Sequence, residues 1–280
     1  MLVRARLGKC SRLMGLLYQI GKCVFVNKVK QLLSERQVAW GASLADASDL
    51  IAKLTVNTGV DFLWVDLEHR PYEAEAVRWI PIICRASNCA CVIRVAGLDS
   101  QLIKKALDIG ANCIMIPQVN TAEEARRAVQ YAKYPPQGSR GVSPLWTYFM
   151  DVSWDDYLPA ANSETCVIVQ IETLEGVRNL EEIAAVEGVD VVFAGPTDLS
   201  AAFGHIGQTS HPTVQQFLAD FPRRVNAFGK AAGITFADLD ACKTAYEQGY
   251  RFVAFGNILS HGTRGLKAEL KQLREMASSG

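Results

Sequence analysis

From residue 38 onward the chain repeats one pattern: a short run of β-branched and apolar residues, then a longer segment with apolar side chains at helical spacing. A parallel strand is buried on both faces and reads as a continuous apolar run, and it needs a crossover, usually a helix, to reach the next strand. The pattern therefore predicts βα units around a parallel sheet. Strands are expected at 38–43, 61–67, 91–95, 112–117, 166–172, 191–194, 232–235 and 251–255, with helices between them and a last helix ending near residue 276. Thr121 opens one of these helices through a capping box with Glu124. Eight strands and eight helices in about 240 residues match a (β/α)8 TIM barrel.

No linker, low-complexity tract or repeat divides the chain, so residues 35–280 are expected to form a single barrel domain. Residues 1–34 differ, with seven basic side chains and no acidic one. They read as a basic N-terminal extension, either a plain one or a mitochondrial transit segment; a cytoplasmic location is the first expectation.

The 29 basic and 29 acidic residues balance, which argues against a nucleic-acid binder. No apolar run is long enough to span a bilayer, so no membrane partner is expected. The eight cysteines are scattered, several within apolar strands where a reduced thiol packs as a small hydrophobe. Cys84, Cys89 and Cys91 lie close together but lack the second cluster a zinc knuckle needs.

A barrel of this kind carries its active site at the C-terminal ends of its strands. Polar residues gather there: Asp66-Leu-Glu-His69 after the second strand, Arg94 in the third, Gln118 after the fourth, Gln170 and Glu172 in the fifth, and Asp198 after the sixth. Glu172 and Asp198 offer hard oxygen ligands for a divalent cation; capping of the following helices is the alternative reading. Arg94 sits inside an apolar strand, where a charge needs a partner. No strand end carries a lysine, which tilts carbonyl chemistry away from an imine and toward a metal. Asp108 stands at a helix C-terminus, unfavourable to the dipole, which asks for another reason for it. His205, His211 and His261 show no ligand spacing.

Taken together, Asp66-x-Glu-His69-x-Pro, Arg94, Leu107-Asp-x-Gly-Ala111, Tyr134-Pro-Pro-x-Gly-x-Arg-Gly141, Val169-Gln-Ile-Glu-Thr173, Val186-Glu-Gly-Val-Asp190 and Gly195-Pro-x-Asp-Leu-Ser200 resemble the HpcH/HpaI family of class II pyruvate aldolases, within the phosphoenolpyruvate/pyruvate barrel superfamily. The likeness runs from about residue 41 to the last helix.

The resemblance implies a divalent cation (Mg, Mn or Co) on Glu172 and Asp198, with Gln170 beside it. It implies Arg94 at the keto oxygen of a 2-oxo acid, and His69 in proton transfer with its ring held by Asp108. The main chain of Gly195, Pro196, Thr197 and Asp198 would receive the substrate carboxylate at a helix start. The implied reaction is reversible cleavage of a 4-hydroxy-2-oxo acid to pyruvate and an aldehyde through a metal-stabilised enolate.

Alternatives on the same apparatus are an oxaloacetate decarboxylase or condensing enzyme, similar to macrophomate synthase or siderophore-linked citrate synthesis, and a non-catalytic barrel. Family members resemble hexamers built as trimers of dimers, and the last helix has an apolar stripe (Ile258, Leu266, Leu270, Leu273) suited to that or to its own barrel. The chain departs from the family pattern at Arg70 and at Ser143-Pro-Leu-Trp-Thr-Tyr-Phe149. The latter loop is expected near the mouth, where its aromatics, or Trp40, either pack or wall the acceptor pocket.

Overall fold

The computed structural model describes residues 27–278. Eight parallel strands close on themselves in sequence order: β1 Ala39–Ser43, β2 Phe62–Asp66, β3 Ala90–Arg94, β4 Cys113–Ile116, β5 Cys166–Ile171, β6 Val191–Ala194, β7 Ala231–Phe236 and β8 Phe252–Phe255. β1 pairs with both β2 and β8, so the sheet has no free edge and the (β/α)8 barrel expected from the alternation is what forms.

The two-residue period of each strand sorts side chains into two cores. Leu63, Ile93, Ile114, Val167, Val169 and Val192 point outward into the layer between sheet and helices. Phe62, Trp64, Val92, Met115, Cys166, Ile168, Phe193 and Phe252 point inward and fill the barrel. An aromatic stack forms the centre of that filling: Phe62 lies 4.0 Å from Phe252, and Phe193 meets Trp64 and Phe252 edge-on. Two glycines make room for it. A Cβ on Gly41 would lie 2.2 Å from the Phe62 ring, and one on Gly233 2.7 Å from Phe193.

The lower end of the barrel is closed by a helix, Lys28–Ser34, that lies in the segment expected to be an extension. Val29 is fully buried in the inner core, and the amide of Asn27 donates to the carbonyls of Asn112 and Glu164, both at 2.8 Å. The rest of the expected extension, with Cys10 and Cys23, lies outside the described residues.

Two elements correct the sequence reading. The stretch 134–164 contains a helix, Trp154–Glu164, which Pro159 hid from a propensity reading. The same stretch lies at the lower rim of the barrel, not at the mouth. It follows the helix Ala122–Ala132, which runs back down from the mouth, and it leads into the start of β5. Trp146 is accordingly buried against Tyr157 beside Gly110, and Phe149 meets Trp79; none walls a pocket at the strand ends. Trp40 points outward and packs near Tyr246.

The last helix, Ile258–Ser278, buries none of its residues, and Leu266, Leu270 and Leu273 stand exposed. The six described cysteines are free and buried, and no group of three or more His, Cys, Asp and Glu among the described residues could hold a metal ion.

Candidate active site

The inward row of each strand that fills the barrel below turns polar at the upper end. On β2 the row runs Phe62, Trp64, Asp66; on β3 Ala90, Val92, Arg94; on β5 Cys166, Ile168, Gln170, with Glu172 next beyond the strand. Gly195 takes the same place above β6. Strand alternation thus delivers polar residues from separate strands to one opening.

Arg94 organises the opening. It is paired in register with Asp66 on the neighbouring strand. Its Nε and Nη2 donate to the two carboxylate oxygens of Asp66 at 2.9 and 2.7 Å, and Nη1 donates to Gln170 Oε1 at 3.3 Å. The guanidinium lies 4.9 Å above the Trp64 ring, which fixes its plane from below. Arg94 is 6% exposed, so this partnership is what makes a buried charge tolerable. Asp66 also accepts the amide hydrogens of Glu68 and His69 through Oδ1, which shapes the turn carrying those two side chains. The Arg94 pair holds the Asp66 carboxyl below the usual range against the opposing effect of its burial.

Around this cation stand three further carboxylates. Glu172 is 4% exposed, accepts the Gln118 amide at 2.9 Å and contacts the Gln170 side-chain amide. Burial, then the charges of Glu68 and Asp198, push its pKa up to about 7. Glu68 is raised as well, first by burial. Its Oε2 is buried 3.0 Å from Arg94 Nη1 but makes no hydrogen bond. Asp198 is exposed in the first turn of the helix Pro196–Ala202, which Gly195 precedes without a side-chain cap.

A Cβ on Gly195 would lie 2.8 Å from both Glu172 Oε2 and Gln170 Nε2, so glycine keeps the space beside that carboxylate open. This donor set fits a divalent cation. Two carboxylates at consecutive strand exits suit an ion that keeps water or substrate oxygens in its remaining positions, and such an ion would offset the burial and the neighbouring charges that raise Glu172.

The structure places Arg94, Gln170, Glu172, Gly195, Pro196, Thr197 and Asp198 at this opening. His69 stands on its rim with its side chain 60% exposed, 3.7 Å from Glu68. Asp108 is not with them. It ends the helix Ser100–Asp108, which runs from the mouth to the lower rim, and there it bonds Arg140 at 2.7 Å. Within this chain it makes no bond to His69. Asp66 and Glu68, given no role from the sequence beyond their motif, are integral to the site. Their position two and four residues beyond Trp64 on the same strand side was the available signal.

Comparison with known proteins agrees with this fold. The model of the HpcH/HpaI aldolase/citrate lyase family matches residues 41–261, and the chain belongs to that family. It is 39% identical over 232 residues to the hydroxypyruvate/pyruvate aldolase of Roseobacter denitrificans, covering 82% of this chain and 90% of that one. It is 41% identical over 241 residues to the 5-keto-4-deoxy-D-glucarate aldolase of Salmonella paratyphi C, covering 86% and 94%. The crystal structure of a family protein from Burkholderia cenocepacia superposes with a TM-score of 0.82 at 34% identity, covering 89% of this chain and all of the other. The protein is an enzyme of the aldolase type, a carbon–carbon lyase.

Proposed function

We propose that this enzyme cleaves a 4-hydroxy-2-oxo acid reversibly to pyruvate and an aldehyde, with a divalent cation held by Glu172 and Asp198. The observation that carries the reading is Glu172: a carboxylate almost fully buried beside Asp198 and Glu68, raised to about 7 by burial and by their charges, with Gly195 leaving space at its oxygens. A cation bound there would supply Lewis acidity at a keto oxygen, which is what removing a proton from the adjacent carbon requires.

Arg94 complements this from the other side. Its guanidinium is fixed by Asp66 and Trp64 before substrate arrives, so its positive charge meets the enolate oxygen without reorganisation. Pro196 has no N–H, and the amides of Thr197 and Asp198 in the first helical turn point to where a substrate carboxylate would be received. His69, exposed on the rim beside Glu68 and within reach of bulk water, is suited to moving a proton to and from the acceptor end. The exposed stripe of the last helix supports a homo-oligomer that covers it.

The test is exchange of pyruvate methyl protons in heavy water, followed by NMR, with magnesium, manganese or cobalt and with a chelator. Glu172→Gln should lower the metal-dependent exchange by about a thousandfold. Undiminished exchange in that variant would overturn the assignment of the site. Absence of exchange together with metal-dependent decarboxylation of oxaloacetate would replace the aldol reading with the decarboxylating one.

A further inference from the structure

At the lower end of the barrel, remote from the catalytic mouth, a recess of about 880 Å³ opens between the helix Lys28–Ser34 and the segments that lead into β6, β7 and β8. Its lining includes Lys30, Arg36, Lys230 and Arg251, with Asp190 as its one carboxylate. That carboxylate is already committed: one oxygen bonds Lys30 at 2.9 Å and the other accepts the Val167 amide at 2.8 Å.

Arg251 Nη1 donates to the Tyr246 and Tyr250 carbonyls at 3.2 and 2.8 Å, which leaves its charge without a carboxylate among the described residues. Neither Arg36 nor Lys230 makes a side-chain hydrogen bond or ion pair among the described residues. Lys230 is half-buried, and that burial, without a countercharge bonded to it, lowers its pKa. Arg36 adopts φ +57°, a left-handed conformation that a glycine would take more easily. The helix end accounts for this backbone, since the Arg36 amide donates to the Leu33 carbonyl at 3.0 Å and the Gln37 amide to the Leu32 carbonyl at 2.8 Å, and the side chain adds a fourth cation to the recess. The chain's own first 26 residues hold five basic and no acidic side chains, so charge does not suit them to fill it.

We propose that this recess is a second binding site, for an oligophosphate anion. Four cations spread around one opening exceed what a monocarboxylate such as pyruvate can engage, whereas linked phosphates present several oxygens to separate point charges and forks. Its volume is that of a small-ligand site. Gly188 and Gly229 line it, and the lack of side chains there lets an anion approach the main chain.

The experiment is isothermal titration of the full-length protein with tripolyphosphate, in excess magnesium so that the catalytic metal is not stripped. Binding at micromolar to low millimolar concentration is expected, weakening as salt rises. Lys230→Gln and Arg36→Gly should each weaken it about tenfold. Arg36→Gly should also keep or raise the Tm, since it relieves the left-handed strain, which separates lost binding from lost folding. Glu172→Gln should bind as the parent does, and pyruvate should not compete. Absence of binding, unchanged affinity in both lower-rim variants, or loss of binding in Glu172→Gln would each overturn the site.

Discussion

At the upper end of the barrel Glu172 and Glu68 gather near one arginine with Asp198 close by, and burial shifts Glu172 and Glu68 upward. At the lower end the acids that lie within the fold are each answered. Asp108 bonds Arg140, although burial still pushes its pKa up, and Asp190 bonds both Lys30 and a backbone amide. Lys133, buried and with its pKa lowered to about 8, donates to the carbonyls of Asn162 and Thr165. The two ends are built from the same residue types by the same strands and helices. They differ in whether the acidic charge is bonded within the chain. Unsatisfied acid at the strand exits marks the chemistry, and satisfied pairs at the strand entrances hold the rim together.

Substitutions at the two ends should therefore fail in different ways. Arg94→Lys removes the fork that grips Asp66 and the fixed charge over Trp64. Turnover should fall by about a hundredfold to a thousandfold, with a smaller loss of stability, as read by steady-state kinetics beside urea unfolding. Equal loss of stability and activity would make Arg94 a rim-type pair after all. Asp108→Ala at the lower end should do the reverse in urea, costing about 3 kcal/mol because Arg140 stays buried without its carboxylate. A cost near zero would show the rim pair to be dispensable.

The pH response sharpens the contrast. Glu172 titrates near 7 in the folded, metal-free chain and at its ordinary 4.5 when unfolded. Between those values the folded state binds more protons, so the metal-free protein should lose stability as pH rises from about 4.5 to 7, by at most on the order of 3 kcal/mol. Below that window the group contributes no slope, and above it the loss is complete. Glu172→Gln should reduce the slope in a chemical-denaturation series, leaving the part due to Glu68 and Asp108, and a divalent cation should restore stability at pH above 7 in the parent only. Smallest of all, Gly195→Ala should weaken the apparent metal affinity about tenfold by pressing a methyl group on the Glu172 carboxylate. An unchanged metal titration would show that the space beside Gly195 is not used.

Much of this was legible without coordinates because it rests on local periodicity. The run Cys166–Ile171 could only be a buried strand, and its two-residue alternation put Gln170 and Glu172 on the side where Ile168 fills the barrel. Arg94 announced a partner simply by being charged among Val92, Ile93 and Val95. The sequence could not say that the partner was Asp66, because that depends on the register between β2 and β3.

One misplacement came from neglecting direction. A segment that follows a strand lies at the mouth and one that follows a helix lies at the entrances. That rule sends Asp108 and the aromatic stretch 143–149 to the lower rim, whatever motif they belong to. The helix Trp154–Glu164 escaped because a proline in its second turn outweighed its Ser153 cap in a propensity reading.

By itself, the sequence determined the class of fold, the order of the strands and which residues would stand at their exits, since these follow from hydrophobic period and chain direction. Only the tertiary structure decided which of those residues meet and shift one another's charge. Burial, the Asp66–Arg94 register and the meeting of Glu172 with Glu68 and Asp198 are long-range facts, set by how the sheet closes and not by any residue's neighbours in the chain.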